Sequence, residues 1–196
     1  MIGMGLISTS LRLSLLLMLL CGVIYNLSVT GIAQLIMPKQ ADGSLIYNES
    51  GDVIGSELIG QSFKDPKFFQ GRVSSIDYHA EGSGSPNYAP SNPDLIARMR
   101  QSVKDWKTNN PDVPTDQLPI DLITNSGSGL DPHISPEAAI AQIPRISKLT
   151  GVTSKKLESL VSLNTEARKL GFLGEPLVNV LQLNIGLQRT LSSMSK

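Results

Sequence analysis

The residues with most chemical potential fall in one run, Ser126-Gly127-Ser128-Gly129-Leu130-Asp131-Pro132-His133-Ile134-Ser135. Asp131 and His133, with Ser126, Ser128 or Ser135, are the parts of a hydrolase triad. A carboxylate orients an imidazole, and the imidazole takes a proton from a hydroxyl. That chemistry also needs a nucleophile on a strained elbow and an oxyanion hole. No G-x-S-x-G is present, and Asp131-Pro132 is a common turn pair. The missing context argues against a triad. Ser126, Gly127, Ser128 and Gly129 could instead cradle a phosphate, because glycine-rich turns expose backbone N–H groups. The run lacks the Gly-Lys-Ser/Thr ending of a P-loop and is not G-x-G-x-x-G. A tight turn needing positive φ is the simpler use of these glycines, as it is for Gly82 to Ser85. His79 and His133 are the only histidines and stand far apart, so no metal site is supported. Arg98 and Arg100 have no basic cluster around them and read as a solvated helix face, not a nucleic-acid patch. No catalytic set stands out, and the chain reads as an anchored accessory or binding module.

The bulk composition agrees with that bland chemistry. The 17 basic and 17 acidic residues cancel, and no run of like charge suggests an interaction tail. The single cysteine, Cys21, lies in an apolar segment, so the rest of the chain has no disulfide or zinc–thiolate site. From Leu13 to Pro38 there is no charged residue. Leu13 to Met37 would span roughly 37 Å as a helix, against a hydrocarbon core of about 30 Å. A signal peptide would be shorter and would carry an A-x-A-like site; Val29-Thr30-Gly31 is only a weak match. Leu20 before Cys21 argues against lipoprotein processing. The sequence therefore divides into residues 1–38, with a transmembrane helix at about 13–37, and a soluble domain at 39–196. Gly22, Asn26, Thr30 and Gln34 recur every four residues on one helical stripe. Polar side chains in lipid need partners, so this stripe is expected to face another membrane helix. Arg12 and the terminal amine stand on one side and Lys39 on the other, a slight lean toward a cytoplasmic N-terminus.

The elements that must position these residues are short and mixed. Leu45-Ile46-Tyr47, a turn at Asn48 to Asp52, and Val53-Ile54 with Leu58-Ile59 predict a hairpin. Phe63, Phe68 and Phe69 are expected in the core. Glu81 to Pro90 is too rich in Gly, Ser and Pro for regular structure. Asn92 as N-cap, Pro93 at the first position and Asp94 in the first turn start a helix that ends near Asn109-Asn110-Pro111. Its apolar face is Leu95, Ile96, Met99, Val103 and Trp106. Pro119 to Thr124 predicts a strand. Ser135-Pro136-Glu137 opens a helix interrupted at Pro144 and closed by Gly151. Thr153 or Ser154 caps the next, with Leu157, Leu160 and Val161 inward. Val178 to Leu181 predicts a strand, and Ile185, Leu187 and Leu191 a last helix. Without a regular βαβ rhythm, the class is α+β.

At the serine–glycine loop the sequence also resembles a known family. Asn125 through Pro136, followed by Ala138-Ala139, is similar to the signature of the C subunit of the Kdp potassium-transporting P-type ATPase. The signature positions are Gly127, Ser128, Gly129, Leu130, Asp131, Pro132, His133, Ser135 and Pro136. Further matches are Ile59-Gly60-Gln61-Ser62-Phe63, the Ser91-Asn92-Pro93 helix start, and Leu170-Gly171-Phe172-Leu173-Gly174-Glu175-Pro176 running into Val178-Asn179-Val180-Leu181. Gly71-Arg72-Val73-Ser74 departs from the expected Arg-Pro-Ser, which leaves that local turn open. The resemblance implies a non-catalytic subunit of a high-affinity potassium pump in the cell inner membrane. Its expected partners are a potassium-channel-like subunit and the P-type ATPase catalytic subunit, which would handle ATP, Mg and K+. It further implies a catalytic chaperone that raises the ATP affinity of the hydrolytic subunit. With a cytoplasmic N-terminus, one crossing puts the soluble domain in the periplasm, where ATP is scarce. The alternatives are a membrane-anchored periplasmic binding module, a hydrolase using His133, and a secreted binding protein released by cleavage.

Overall fold

The computed structural model describes residues 4–194. The terminal amine invoked for orientation lies outside them. The chain forms two compact units, Met1–Ile46 and Tyr47–Lys196.

The first unit is dominated by an unbroken helical run. It begins as α1 (Met4–Leu17), widens into a π segment (Met18–Ile24) and returns to α geometry in α2 (Tyr25–Ile36). The apolar side chains along it are exposed, as a lipid-facing helix requires. Helical structure thus starts well before Arg12, ahead of the uncharged stretch. Met37, at φ −139° and ψ 59°, breaks the helix, and Pro38 starts the one-turn α3 (Pro38–Ala41). The Gln34 amide donates to Asp42 Oδ1 at 3.0 Å.

The second unit is α+β. β1 (Leu45–Tyr47), which carries the division point, and β2 (Val53–Ser56) are the strands of the expected hairpin. Asn48 shapes its turn, its Oδ1 accepting from the Ser50 and Asp52 amides. Leu58-Ile59 is not strand. The chain turns back there, because the Ser56 hydroxyl accepts from Leu58 N at 3.1 Å. α4 (Pro93–Asn109) starts where its capping residues predict, with Asn92 Oδ1 accepting from Asp94 N. Trp106 is buried on its inner face, whereas Ile96 is exposed.

Pro119 to Thr124 is a 3₁₀ turn over Ile120–Leu122 instead of the predicted strand. Pro119 O accepts from Leu122 N, and Ile120 O accepts from both Ile123 N and Thr124 N, so the backbone closes on itself. The structure adds two strands that the sequence pattern does not mark. β3 (His133–Ile134) and β4 (Thr165–Glu166) flank β5 (Leu177–Asn179) in an antiparallel sheet of order β3-β5-β4. His133 lies opposite Asn179, and Thr165 opposite Val178. β5 stops short of the expected Leu181, because Asn179 Oδ1 accepts from Gln182 N and caps a helix.

Three helices follow β3 in sequence: α5 (Pro136–Ile140), α6 (Ile143–Thr150) and α7 (Ser154–Leu163). α5 packs on β5, and α7 packs against both α5 and α6. The break between α5 and α6 falls at Ala141-Gln142, just ahead of Pro144, and Gly151 closes α6 at φ 74°. α8 (Val180–Met194) lies against α7 so closely that a Cβ on Gly186 would sit 2.9 Å from Leu160 Cδ1. The core joins Ile134, Ala138, Ile146, Leu157, Val178, Leu183, Leu187 and Phe69, with Phe63 and Phe68 packed against it.

The segment around Phe69 has no strand partner, yet Phe69 is fully buried and its neighbours Phe68 and Gln70 are half-buried. Two side-chain amides take the place of a ladder. Asn184 accepts from Phe69 N at 2.8 Å and donates to Phe69 O at 2.9 Å. Gln142 accepts from Gln70 N at 2.8 Å and donates to Gln70 O at 3.1 Å. Arg145 adds a bond to Phe68 O. Buried backbone groups must be paired, and here side chains from α6, α8 and the α5–α6 junction supply the partners.

Candidate functional site

The serine–glycine loop sits between segment 71–79 and β3. Its chemistry is directed inward. The Ser126 hydroxyl, buried, accepts from Gly129 N at 3.0 Å and Asp131 N at 3.3 Å. Ser128 Oγ accepts from Leu130 N at 3.1 Å, and Ser128 O accepts from Gly84 N at 2.8 Å. Three amides that a phosphate would use are therefore engaged by the loop's own hydroxyls. Gly129 has φ +72°, and a Cβ there would stand 2.7 Å from Ile76 Cγ1. Only glycine combines that backbone with that approach. Gly60 N, across the loop, donates to Leu130 O at 2.7 Å.

The segment 71–79 clasps the loop from the side. Val73, standing where proline was expected, still makes the turn: its carbonyl accepts from Ser126 N at 3.1 Å. Ser74 Oγ donates to Gly129 O at 2.7 Å and accepts from Tyr78 N at 2.9 Å. Asp77 and Tyr78 both have positive φ, 51° and 59°. Two successive non-glycine residues there store strain that this clasp must hold. The Tyr78 hydroxyl donates to Arg72 O. Burial, reinforced by the nearby Asp131 charge, pushes its pKa up to about 12. Arg98 from α4 reaches Asn125 Oδ1, and the Asn125 amide reaches Ser75. Arg72, Ser74 and Tyr78 were missed as a set by sequence reasoning. The one signal was the departure at Gly71 to Ser74.

Asp131 is the electrostatic centre. Its Oδ1 accepts from His133 N at 3.0 Å and lies 3.3 Å from His133 Nδ1; its Oδ2 accepts from Arg72 Nη1 at 3.2 Å. Burial alone would raise its pKa, but the His133 hydrogen bonds and Arg72 outweigh it and hold the carboxyl below its ordinary 3.8. The Asp131–His133 pair is two-thirds of a triad. The hydroxyls that could complete it are engaged elsewhere: Ser126 and Ser128 with loop amides, and Ser135 with Ala138 N as the cap of α5. A cleft of about 440 Å³ opens beside the pair, lined by Arg72, Asp121, Asp131, His133 and Glu175. Its charges pair within the chain: Asp121 accepts from Ser135 N at 2.7 Å, and Glu175 from Arg168 at 2.7 Å. Among the described residues no cluster of three or more metal-ligating side chains occurs. Arg98 serves Asn125, and Arg100 is exposed.

The membrane stripe lies in the other unit. Asn26 Nδ2 donates to Gly22 O at 2.9 Å and to Cys21 O at 3.2 Å. Gln34 is tied to Asp42 as described, and Thr30 lies between them on α2. Gly22 is open on its outer side: a Cβ there would meet only Met18 Cγ, at 4.0 Å. Gly5–Ile36 is long and apolar enough to cross a membrane. On the second unit the run 170–173 makes an exposed apolar tip. Leu170 and Phe172 are 81% and 71% exposed, and Leu173 is exposed beside them. The Lys169–Leu173 bridge and the Arg168–Glu175 ion pair hold its base.

The likeness to known proteins runs the length of the chain. Residues 7–189 match the family described as K+-transporting ATPase, c chain. The chain is 58% identical over 187 residues to the potassium-transporting ATPase KdpC subunit of Bacillus cereus (strain B4264), covering 95% of this chain and 97% of that one. It is 56% identical, with the same coverage, to the KdpC subunit of Bacillus anthracis (strain CDC 684 / NRRL 3495). With the signature loop, the N-terminal apolar helix and near full-length matches in agreement, the chain belongs to the KdpC family of potassium-transporting ATPase subunits.

Proposed function

We propose that this chain is a non-catalytic accessory subunit of a high-affinity, ATP-driven potassium uptake pump, assembling and stabilising the complex. The observation that carries this reading is the inward direction of its signature loop. Serines, carboxylates and the imidazole that could do chemistry pair with backbone or with each other, leaving a rigid scaffold. The Asp131–His133 pair is the single feature favouring a hydrolase, and its neighbouring hydroxyls are committed to backbone amides.

The partners are a potassium-channel-like subunit and the P-type ATPase catalytic subunit, which handle K+, ATP and Mg. The helix crosses the inner membrane once, N-terminus inside, with Gly22, Asn26, Thr30 and Gln34 toward a partner helix. Residues 39–196 then form the extracytoplasmic, periplasmic domain. Nucleotide binding at Ser126, Gly127, Ser128 and Gly129 is disfavoured by the engaged amides of Gly129, Leu130 and Asp131. A chaperone effect on ATP affinity would then act through the catalytic subunit, not through nucleotide held here. Exposed apolar surface on a monomer marks an interaction site. In the assembled pump a partner subunit covers Leu170 and Phe172.

The test is purification of the tagged chain from its native membrane in mild detergent. Two larger membrane subunits and potassium-stimulated ATPase activity are expected with it. A chain that emerges alone, from membranes where the other subunits are present and assembled, would leave an anchored binding module as the account. A topology reporter fused after Lys196 should signal extracytoplasmically; a cytoplasmic signal would reverse the orientation.

A further inference from the structure

The membrane helix contains a seven-residue π segment, Met18–Ile24, and an asparagine stands two residues beyond it. Tyr25 N donates to Leu20 O, an i→i−5 bond. Where bonding returns from i−5 to i−4, one carbonyl is passed over. Counting on from Leu20, that carbonyl belongs to Cys21. An unpartnered carbonyl in hydrocarbon is costly, and water is not there to relieve it. The Asn26 side-chain amide reaches Cys21 O at 3.2 Å while also donating to Gly22 O at 2.9 Å. We infer that Asn26 is a positioning residue: its amide locks the π segment and thereby fixes the rotational phase between the two halves of the membrane helix.

The consequence is angular. An α-helix turns by about 100° per residue, so Ser14 and Gln34 in an uninterrupted helix would face roughly 200° apart. The wider turn takes roughly 4.4 residues, so the seven-residue segment withholds about 125° of rotation. Ser14 then lies within roughly 75° of Gln34, on the side of Gly22, Asn26 and Thr30. A four-residue repeat drifts steadily around a pure α-helix; the π segment turns the drift back. The polar stripe continues into α1 only because the phase is held. This consequence rests on the docking reading of the stripe, whereas the lock itself does not.

Because Cys21 is the only cysteine, carbonyl-¹³C cysteine labels one carbonyl in the whole chain. The full chain in lipid nanodiscs, labelled also with side-chain ¹⁵N asparagine, should show a dipolar coupling between the Cys21 carbonyl and the Asn26 amide nitrogen. Asn26→Leu should abolish it. Absence of the coupling in the unsubstituted chain would overturn the inference. A second readout follows phase. In the assembled pump with Cys21→Ala, spin labels placed singly from Ser14 to Leu17 and from Leu27 to Thr30 report lipid accessibility. Asn26→Leu should rotate the first pattern by about 125° against the second, and Asn26→Gln should restore it, since a longer amide still donates. A pattern already advancing by about 100° per residue through Met18–Ile24 without substitution would overturn the lock. Uniform lipid exposure at every position, with the Cys21–Asn26 coupling intact, would sustain the lock and remove the docking reading instead.

Discussion

Asp131 gathers more of the signature's electrostatics than any other side chain, and its protonation has a signed consequence. Its folded pKa lies below 3.8, so the ionised carboxylate contributes stability that is fully present above that value. The contribution is lost as pH falls through the folded pKa. Urea midpoints measured at about pH 5, 4 and 3 should therefore fall more steeply for the unsubstituted protein than for Asp131→Asn. Equal slopes would mean that the His133 and Arg72 contacts do not favour the charged form. Gly129→Ala tests the neighbouring backbone. Its φ of +72° and the 2.7 Å approach to Ile76 should together cost about 2 kcal/mol, read from denaturant unfolding. At this scale the sequence was informative about turns and poor about partners. Gly129 needing positive φ and Asn92 capping a helix were legible because each acts on its own neighbours. Ser74 closing on Gly129 was not, because 55 residues separate them.

At the scale of elements, the distinctive device is the pair of amides that stand in for a β-ladder around Phe69 and Gln70. Gln142 is fully buried and engages both backbone groups of Gln70. Gln142→Leu keeps comparable bulk but strands those groups, which should cost about 3 kcal/mol by the usual penalty for buried unsatisfied polar groups. Thermal unfolding of the purified chain would read it; an unchanged midpoint would mean that the segment finds other partners. The same physics explains which elements were misread. Helices with strong caps, such as α4 and α5, were found near their true starts. The Pro119–Thr124 segment has strand-like residues, but its backbone bonds to itself in local turns that apolar composition does not reveal. β3 and β4 are two residues each, too short for any periodicity to mark. Asn179 ended β5 early through a capping bond that the alternation of apolar residues concealed.

For the molecule as a whole, the α+β class and the membrane helix were readable from composition and pattern, whereas the π segment was not. Nothing in the residues Met18–Ile24 distinguishes it from α; only the bonds of Asn26 and Tyr25 do. The exposed tip offers the test at this scale. Replacing Leu170 and Phe172 together by serine removes side chains that are not part of their own unit's core. Stability should change by less than about 0.5 kcal/mol, as for surface substitutions elsewhere. Recovery of the other pump subunits in a pull-down should fall. Full recovery would assign the tip to solvent.

The clamp on Phe69 also dictates an order of events. Asn184 reaches back across 115 residues to hold that backbone, and Asn179 and Gln182 reach Glu57 across a still longer interval. Contacts so distant along the chain form late and slow the approach to the native state. The apolar helix precedes the second unit along the chain and makes its hydrogen bonds locally. The second unit cannot close its core until α8 has been made. Until then its early half, with Phe63, Phe68 and Phe69, stays an open chain whose aromatic side chains have no core to enter.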